Sequence, residues 1–376
     1  MSKRGQNEGS IFKRQDGRWV AVLNLGYTGG KRRRKHFYGE TRKEVQERLT
    51  AALRARQQGL PVAPEKQTVG QFLERWLDES VKPNVRPRTY EGYEGHVRLH
   101  IVPAIGRSRL VKLAGQDIES LMNGMRRHGY SERTIQYTLT VLRQALGRAH
   151  KWGLIAQNVA TLVDRPKARR PEVQPFNPDQ ARTFLAAIKG DRLEALYTVA
   201  LAVGLRKGEA LGLHWDDVDF DVATVRVRKA LQRVNGSLQL VDPKSTRSRR
   251  TVSIPEIAVV SLRMHRARQL QERLLAGSRW QECGLVFTST IGTPFDPRNV
   301  NRHFSRTLKQ VSLPHQRFHD LRHGCATLLL AQGVHPRVVM DILGHSQISL
   351  TMDTYSHVIP ELQQRAASEM DSILTG

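Results

Sequence analysis

Residues 204–219 read Gly-Leu-Arg-Lys-Gly-Glu-Ala-Leu-Gly-Leu-His-Trp-Asp-Asp-Val-Asp. This stretch joins two kinds of pattern. Before it, an apolar run with helical spacing covers roughly Arg192–Val203, and Asn177-Pro178 supplies a helix cap with proline in the first turn. After it, residues 223–241 alternate as two strands joined by Asn235-Gly236, a hairpin turn signal, and Arg249–Ile254 reads as a third strand. Beyond Pro255 the pattern is helical almost throughout, with a break around Gly284–Pro297. The unit around residues 204–219 is therefore expected to be mainly α with a small antiparallel sheet, over 176–376.

Two further units precede it. Residues 10–15 and 18–27 alternate apolar and polar side chains around the turn Asp16-Gly17, and residues 28–31 read as a second turn. A third strand and a helix capped at Thr41-x-x-Glu44 follow, which makes residues 1–59 a three-stranded sheet with one helix. A Pro/Gly linker runs from Gly59 to Lys66. A second capping box, Thr68-x-x-Gln71, opens a run of helices with no strand pattern, including Pro87–Ile101, Ala114–His128 and Ser131–Trp152, so residues 66–165 read as an all-α bundle. Residues 165–175 carry three prolines and four basic residues, among them Lys167, Arg169 and Arg170, and read as an extended linker crossing a phosphate backbone. The fold class is multidomain α+β.

Composition limits the partners. The 376 residues hold 60 Lys+Arg against 35 Asp+Glu, a formal charge of +25. Residues 1–59 alone hold 15 against 5. Such an excess is the electrostatic footprint of a polyanion. No stretch approaches the roughly 18 consecutive apolar residues of a membrane span, and the N-terminus lacks the apolar core of a secretory signal. The two cysteines, Cys283 and Cys325, form no CxxC pair, which excludes a disulfide framework and a cysteine-rich zinc finger. A reducing, nucleic-acid-rich compartment fits, and a membrane partner does not. The basic cluster Lys31–Lys35 lies beside the first sheet, where Arg32, Arg33, Arg34 and Lys35 would dock it in a major groove.

The chemistry-bearing residues are scattered through the third unit: Arg206 and Glu209, Lys244 after the hairpin, His319 and Arg322 in His319-Asp320-Leu321-Arg322-His323, His345 in Leu343-Gly344-His345-Ser346, and Tyr355. The His-x-x-Arg spacing puts His319 and Arg322 on one helical face. Singly, each of these is an ordinary surface or core residue. Together and in this order they resemble the tyrosine recombinase (phage integrase) family. The flanking text, HDLRHGCATLLLAQG around Arg322 and ILGHSQISLTMDTYSH from His345 to Tyr355, fits the same family. The first two units are similar to the arm-type DNA-binding domain and the core-binding domain of its extended, lambda-integrase-like members.

The resemblance implies roles. Tyr355 is the nucleophile; with an ordinary pKa of about 10 it needs neighbouring cations and a proton acceptor to attack at neutral pH. Arg206 and Arg322 fork onto the phosphate oxygens, and arginine stays charged throughout. Lys244, on a hairpin entering the minor groove, protonates the departing 5′-oxygen. His319 assists proton transfer, His345 hydrogen-bonds the phosphate, and Glu209 orients Arg206. Bond energy is kept in a 3′-phosphotyrosine link, so the family needs neither cofactor nor metal. Two strand exchanges pass through a Holliday junction, which implies a homotetramer on double-stranded DNA with core-type and arm-type attachment sites. A host DNA-bending protein or an excision factor is a further expected partner, and the expected place is the cytoplasm of a bacterial host, on the nucleoid. Pro360–Leu374 reads as an amphipathic tail helix, packed on a neighbouring protomer or on its own domain.

Three other readings compete. His319-Asp320-Leu321-Arg322-His323 is close to the two-histidine, one-acid string of zinc hydrolases, but the acid is the shorter aspartate, Arg322 would sit beside the metal, and no third ligand is obvious among His303, His315 and His345. A non-catalytic DNA-binding protein would explain the charge but not the whole constellation. A topoisomerase would not need two extra DNA-binding units. Around Lys244, the basic residues Arg247, Arg249 and Arg250 crowd the same run, and Lys207 and Lys229 are further claimants to the lysine role.

Overall fold

The computed structural model describes residues 9–28, 31–57, 66–168, 174–243, 248–344, 367–368 and 370–375. The chain divides into two compact units, Met1–Arg170 and Pro171–Gly376.

The first unit begins with an antiparallel sheet of β1 (Ser10–Lys13), β2 (Trp19–Thr28) and β3 (Lys31–Gly39) in sequential order, followed by α1 (Arg42–Gln57). The β1–β2 turn at Asp16-Gly17 has φ +84° at Gly17 and an Asp16 side chain accepting from Arg18 N–H. At the head of α1, Thr41 accepts from Glu44 N–H, while the Glu44 carboxylate reaches back to Glu40 N–H. Ala21, Leu23 and Phe37 of the sheet bury against Val45, Leu49 and Ala52 of the helix. Alternation on the strands and a four-residue repeat on the helix put these apolar groups on facing surfaces.

The same unit continues as helices. The expected capping box at Thr68 is complete: Thr68 Oγ1 accepts from Gln71 N–H and Gln71 Oε1 accepts from Thr68 N–H. It opens α2 (Val69–Trp76), which passes into a π turn at Leu77–Val81. Next come α3 (Pro87–His96), a π turn at Val97–Ile101, and α4 (Val102–Ile105). Then follow α5 (Gly115–Arg127) and α6 (Glu132–Lys151). Their shared core includes Phe72, Leu73, Ile101, Ile118, Leu139 and Leu142.

In the second unit Asn177 caps α7 (Pro178–Ala187) with Gln180 answering it, as expected. The central element is α8 (Glu194–Val203), apolar on nearly every face and therefore buried on all of them. It packs against α10 (Glu256–Ala276) and α12 (Phe318–Ala331). Between α8 and α10 lie α9 (Lys207–Leu211), β4 (Val218–Asp219), β5 (Thr224–Val227), β6 (Ala230–Val234), β7 (Ser237–Val241) and β8 (Arg250–Ser253). Residues 223–241 thus hold three strands where two were expected. β5 leaves the hairpin and joins β4 and β8 in a separate antiparallel sheet, while β6 and β7 pair alone. The hairpin turn is the expected one, with φ +48° at Asn235 and +78° at Gly236. The order is completed by α11 (Pro297–Gln310), α12 and α13 (Pro336–Leu343). Residues 367–368 and 370–375 are helical, with Met370, Ile373 and Leu374 exposed; the rest of the expected tail helix lies outside the described residues.

Candidate active site

Three segments that are far apart in sequence meet at the end of α13. α8 terminates at Gly204, whose φ of +67° closes the helix. A Cβ built there would lie 2.4 Å from Leu343 Cδ2, so the close approach of the two segments demands glycine. Two residues on, Arg206 is the N-cap residue of α9. Glu209, one turn later, accepts from Arg206 N–H at 3.1 Å and from Arg206 Nη1 at 2.6 Å. The short helix therefore forms around the arginine and fixes its side chain in the same step.

From α12, Arg322 reaches both sides of this junction. Its Nη1 donates to the Gly204 carbonyl at 2.8 Å and its Nη2 to the Leu343 carbonyl at 2.6 Å, with the residue only 2 % exposed. From β8, Arg250 donates through Nε to the Ile342 carbonyl at 2.6 Å and through Nη2 to Glu209 Oε2 at 3.2 Å. Arg206 Nη2 lies 3.5 Å from the Gly344 carbonyl. Three arginines thus address the carbonyls of three successive residues, 342, 343 and 344. The physical reason is general: the last carbonyls of a helix have no intrahelical partner and carry the negative end of its dipole. Gly344 itself closes α13 with φ +65° and precedes His345.

Two guanidiniums face the one carboxylate of Glu209. Burial pushes its carboxyl up, but Arg250 and Arg206 outweigh burial and hold it below the usual carboxylate range. Burial lowers the Arg250 pKa while Glu209 opposes that effect; a guanidinium remains charged at neutral pH. Arg206 keeps 37 % of its side chain exposed, whereas Glu209 keeps 4 %. Of this pair, only the arginine is open to a ligand.

His319 lies on α12 one turn before His323, with the two rings edge to face at 5.1 Å. His319 keeps an exposed side, yet partial desolvation of its ring, then the neighbouring His323 and Arg322, push its pKa down to about 4, and Arg206 adds to the effect. The imidazole is therefore neutral at physiological pH. Asp320 is engaged elsewhere. Its carboxylate accepts from Arg317 N–H at 2.7 Å and from Arg317 Nη2 at 2.8 Å, which caps α12. That arrangement removes the acid that a zinc-hydrolase reading of residues 319–323 requires as base.

The structure brings Arg206, Glu209, His319 and Arg322 into one neighbourhood. Lys244, His345 and Tyr355 lie outside the described residues, as do Arg169, Arg170 and Arg247. The other claimants to the lysine role are engaged. Lys229 and Arg249 share the Asp242 carboxylate at 2.9 and 3.1 Å. Lys207 Nζ donates to Asn301 Oδ1 at 2.8 Å. Arg250 faces inward, a role that the sequence reading missed. The available signal was period-two alternation, which puts Arg250 on the same face of β8 as buried Val252. Elsewhere, Lys167 and Arg34 are exposed. Lys35 Nζ lies 5.4 Å from the Phe37 ring centre. Arg32 and Arg33 sit on β3, paired with Tyr27 and Gly26 of β2.

Comparisons with known proteins show the family. Residues 174–361 match the phage integrase family, and residues 68–126 match the phage integrase N-terminal SAM-like domain. The chain belongs to the phage integrase family of tyrosine recombinases, the site-specific DNA recombinases of phages and mobile elements. A tyrosine recombinase XerC-like protein of Caldanaerobacter subterraneus subsp. tengcongensis is 32 % identical over 363 residues, covering 92 % of this chain and 93 % of the relative. An integrase of Streptomyces ambofaciens is 31 % identical, covering 99 % and 97 %. Among solved structures, the Tn1549 transposon integrase in complex with transposon right end DNA superposes with a TM-score of 0.68 at 23 % identity, covering 80 % of this chain and 99 % of that one. No helix among the described residues is long and apolar enough to cross a membrane.

Proposed function

We propose that this recombinase cleaves DNA by attack of Tyr355 Oη on the scissile phosphate, forming a 3′-phosphotyrosine bond and releasing a 5′-hydroxyl. Arg206 and Arg322 stabilise the charge that develops on the non-bridging oxygens. His319, neutral at physiological pH, assists proton transfer with the nucleophile. Lys244 protonates the leaving 5′-oxygen, and His345 donates a hydrogen bond to the phosphate. Glu209 holds Arg206 in register. The released 5′-hydroxyl of a partner strand reverses the chemistry and joins to it, so strand exchange conserves the number of bonds and needs no external energy source.

The observation that carries this reading is the convergence of Arg206 and Arg322 on the carbonyls of residues 344 and 343. Two guanidiniums that are 116 positions apart in sequence (322 less 206) address one short segment, with a neutral histidine beside them. Residues 1–59 act as an arm-type DNA-binding domain, with Arg32, Arg33, Arg34 and Lys35 in the major groove. Residues 66–165 act as the core-binding domain, Lys167, Arg169 and Arg170 follow the phosphate backbone, and residues 176–376 are catalytic. The assembly is a homotetramer on two duplexes in a bacterial cytoplasm, assisted by a host DNA-bending protein or an excision factor.

The test uses DNA flanking the gene, because mobile elements commonly carry their attachment site there. Wild type incubated with it in EDTA is expected to give a protein–DNA adduct on a denaturing gel, and Tyr355→Phe none, with duplex binding retained. Arg206→Ala and Arg322→Ala are each expected to slow adduct formation by about 10²–10³, the usual cost of removing one preorganised charge-stabilising donor. An adduct from Tyr355→Phe overturns the nucleophile assignment.

A further inference from the structure

Arg250 belongs to none of the roles above, yet its surroundings are those of a functional group. Its side chain is 7 % exposed. Two of its three bonds point into the site, Nη2 to Glu209 Oε2 and Nε to the Ile342 carbonyl, while Nη1 donates to the nearby Ser248 carbonyl at 3.2 Å. Glu209 is therefore shared. Its Oε1 takes Arg206 Nη1, and its Oε2 takes Arg250 together with the Arg206 backbone N–H.

The sharing has an electrostatic consequence. A buried carboxylate facing a single guanidinium would neutralise it and hold it tightly. With two arginines on one carboxylate, the trio keeps a net positive charge, and Arg206 is its exposed member. Arg250 also ties the last turn of α13, from which His345 follows, to the same carboxylate. We propose that Arg250 is a positioning residue for strand cleavage: it divides the charge of Glu209 so that Arg206 is oriented without being neutralised, and it anchors the end of α13 against the same carboxylate. The inference rests on the reading that Arg206 acts on the scissile phosphate.

The test is a two-by-two set of full-length variants, Arg250→Met, Glu209→Gln and their combination, with Arg250→Lys as the conservative member. On the flanking DNA, Arg250→Met is expected to slow adduct formation about 10–100-fold while duplex binding stays within about twofold. Adding Glu209→Gln to Arg250→Met removes the unshared charge and is expected to restore about tenfold of that loss. Arg250→Lys, which supplies a charge but cannot span Glu209 and Ile342 together, should fall between wild type and Arg250→Met. A full adduct rate in Arg250→Met, or a combined variant slower than both singles, overturns the proposal. Thermal unfolding of the same four proteins reads the ion pair without DNA. Glu209→Gln should lower the Tm of wild type more than it lowers that of Arg250→Met. Equal losses in the two backgrounds overturn the shared-charge argument even if no DNA is cut, whereas unequal losses with no adduct from wild type place the failure in the catalytic reading.

Discussion

His319 illustrates how neighbouring side chains tune one group. Partial desolvation and the positions of His323 and Arg322 bring its pKa to about 4, below the ordinary histidine value of about 6.5. The folded state therefore resists protonation of this ring more than the unfolded state does. Stability contributed by the neutral ring is full above pH ~6.5 and is lost as pH falls through the window from ~6.5 to ~4. His323 titrates low for a similar reason, burial first, so the window is read cleanly only as a difference between proteins. We expect His319→Gln to gain stability relative to wild type as pH is lowered from 7 to 4.5, measured by urea unfolding at each pH. A constant difference across that range contradicts the assignment of a low pKa to His319. At the same scale, His319 and Arg322 were legible from their spacing, because a three-residue step on a helix keeps two side chains on one face. The inward turn of Arg250 was harder to read. Arg249 and Arg250 are chemically identical neighbours, and in the sequence only the period-two alternation that puts Arg250 on the face of Val252 separates their roles.

At the scale of elements, α9 is five residues long and too short to be stable by helix propensity alone. It forms because Glu209 closes a ring with Arg206, and because glycines let it lie directly on β6. A Cβ on Gly208 would meet the Leu231 carbonyl at 2.9 Å, and one on Gly212 would meet Ala230 Cα and Leu231 N at 2.9 Å. Those neighbours are backbone atoms, which cannot rotate away. Gly212→Ala is expected to destabilise the protein by about 1–3 kcal/mol, the usual cost of overpacking, with slowed adduct formation because Arg206 heads the displaced helix. Unchanged urea unfolding in this variant contradicts the packing account. Capped helices and the Asn235-Gly236 hairpin were legible in the sequence, since each has a local chemical signal. The parting of β5 from β6 was not. Only Arg228-Lys229 lies between them, with no glycine or proline to mark the break, and the choice of partner strand is decided by β8, more than twenty positions later. The two π turns were likewise invisible, since their side-chain pattern is that of the helices they extend.

Across the whole molecule, charge is the feature that sequence states most directly. The excess of +25 indicates a polyanion partner without naming its chemistry. The order of Arg206, Lys244, His319, Arg322, His345 and Tyr355 supplied the chemistry, and the structure adds how the described members are held. The concentration of charge in residues 1–59 gives a prediction at this scale. Deleting them should weaken binding to the outer part of the flanking DNA and flatten the dependence of log K on log salt, since the slope falls by about 0.9 for every phosphate that the protein no longer neutralises. Anisotropy titrations at several salt concentrations measure it. An unchanged slope contradicts an arm-type DNA-binding role for the first sheet.

The central claim is a covalent bond between Tyr355 and a 3′-phosphate. The direct measurement is mass spectrometry of the EDTA-resistant adduct after trimming the DNA with nuclease and the protein with protease. The account predicts a short nucleotide attached through its 3′-phosphate to the peptide that carries Tyr355. A nucleotide on any other residue, or strands cut with no protein attached, would contradict it.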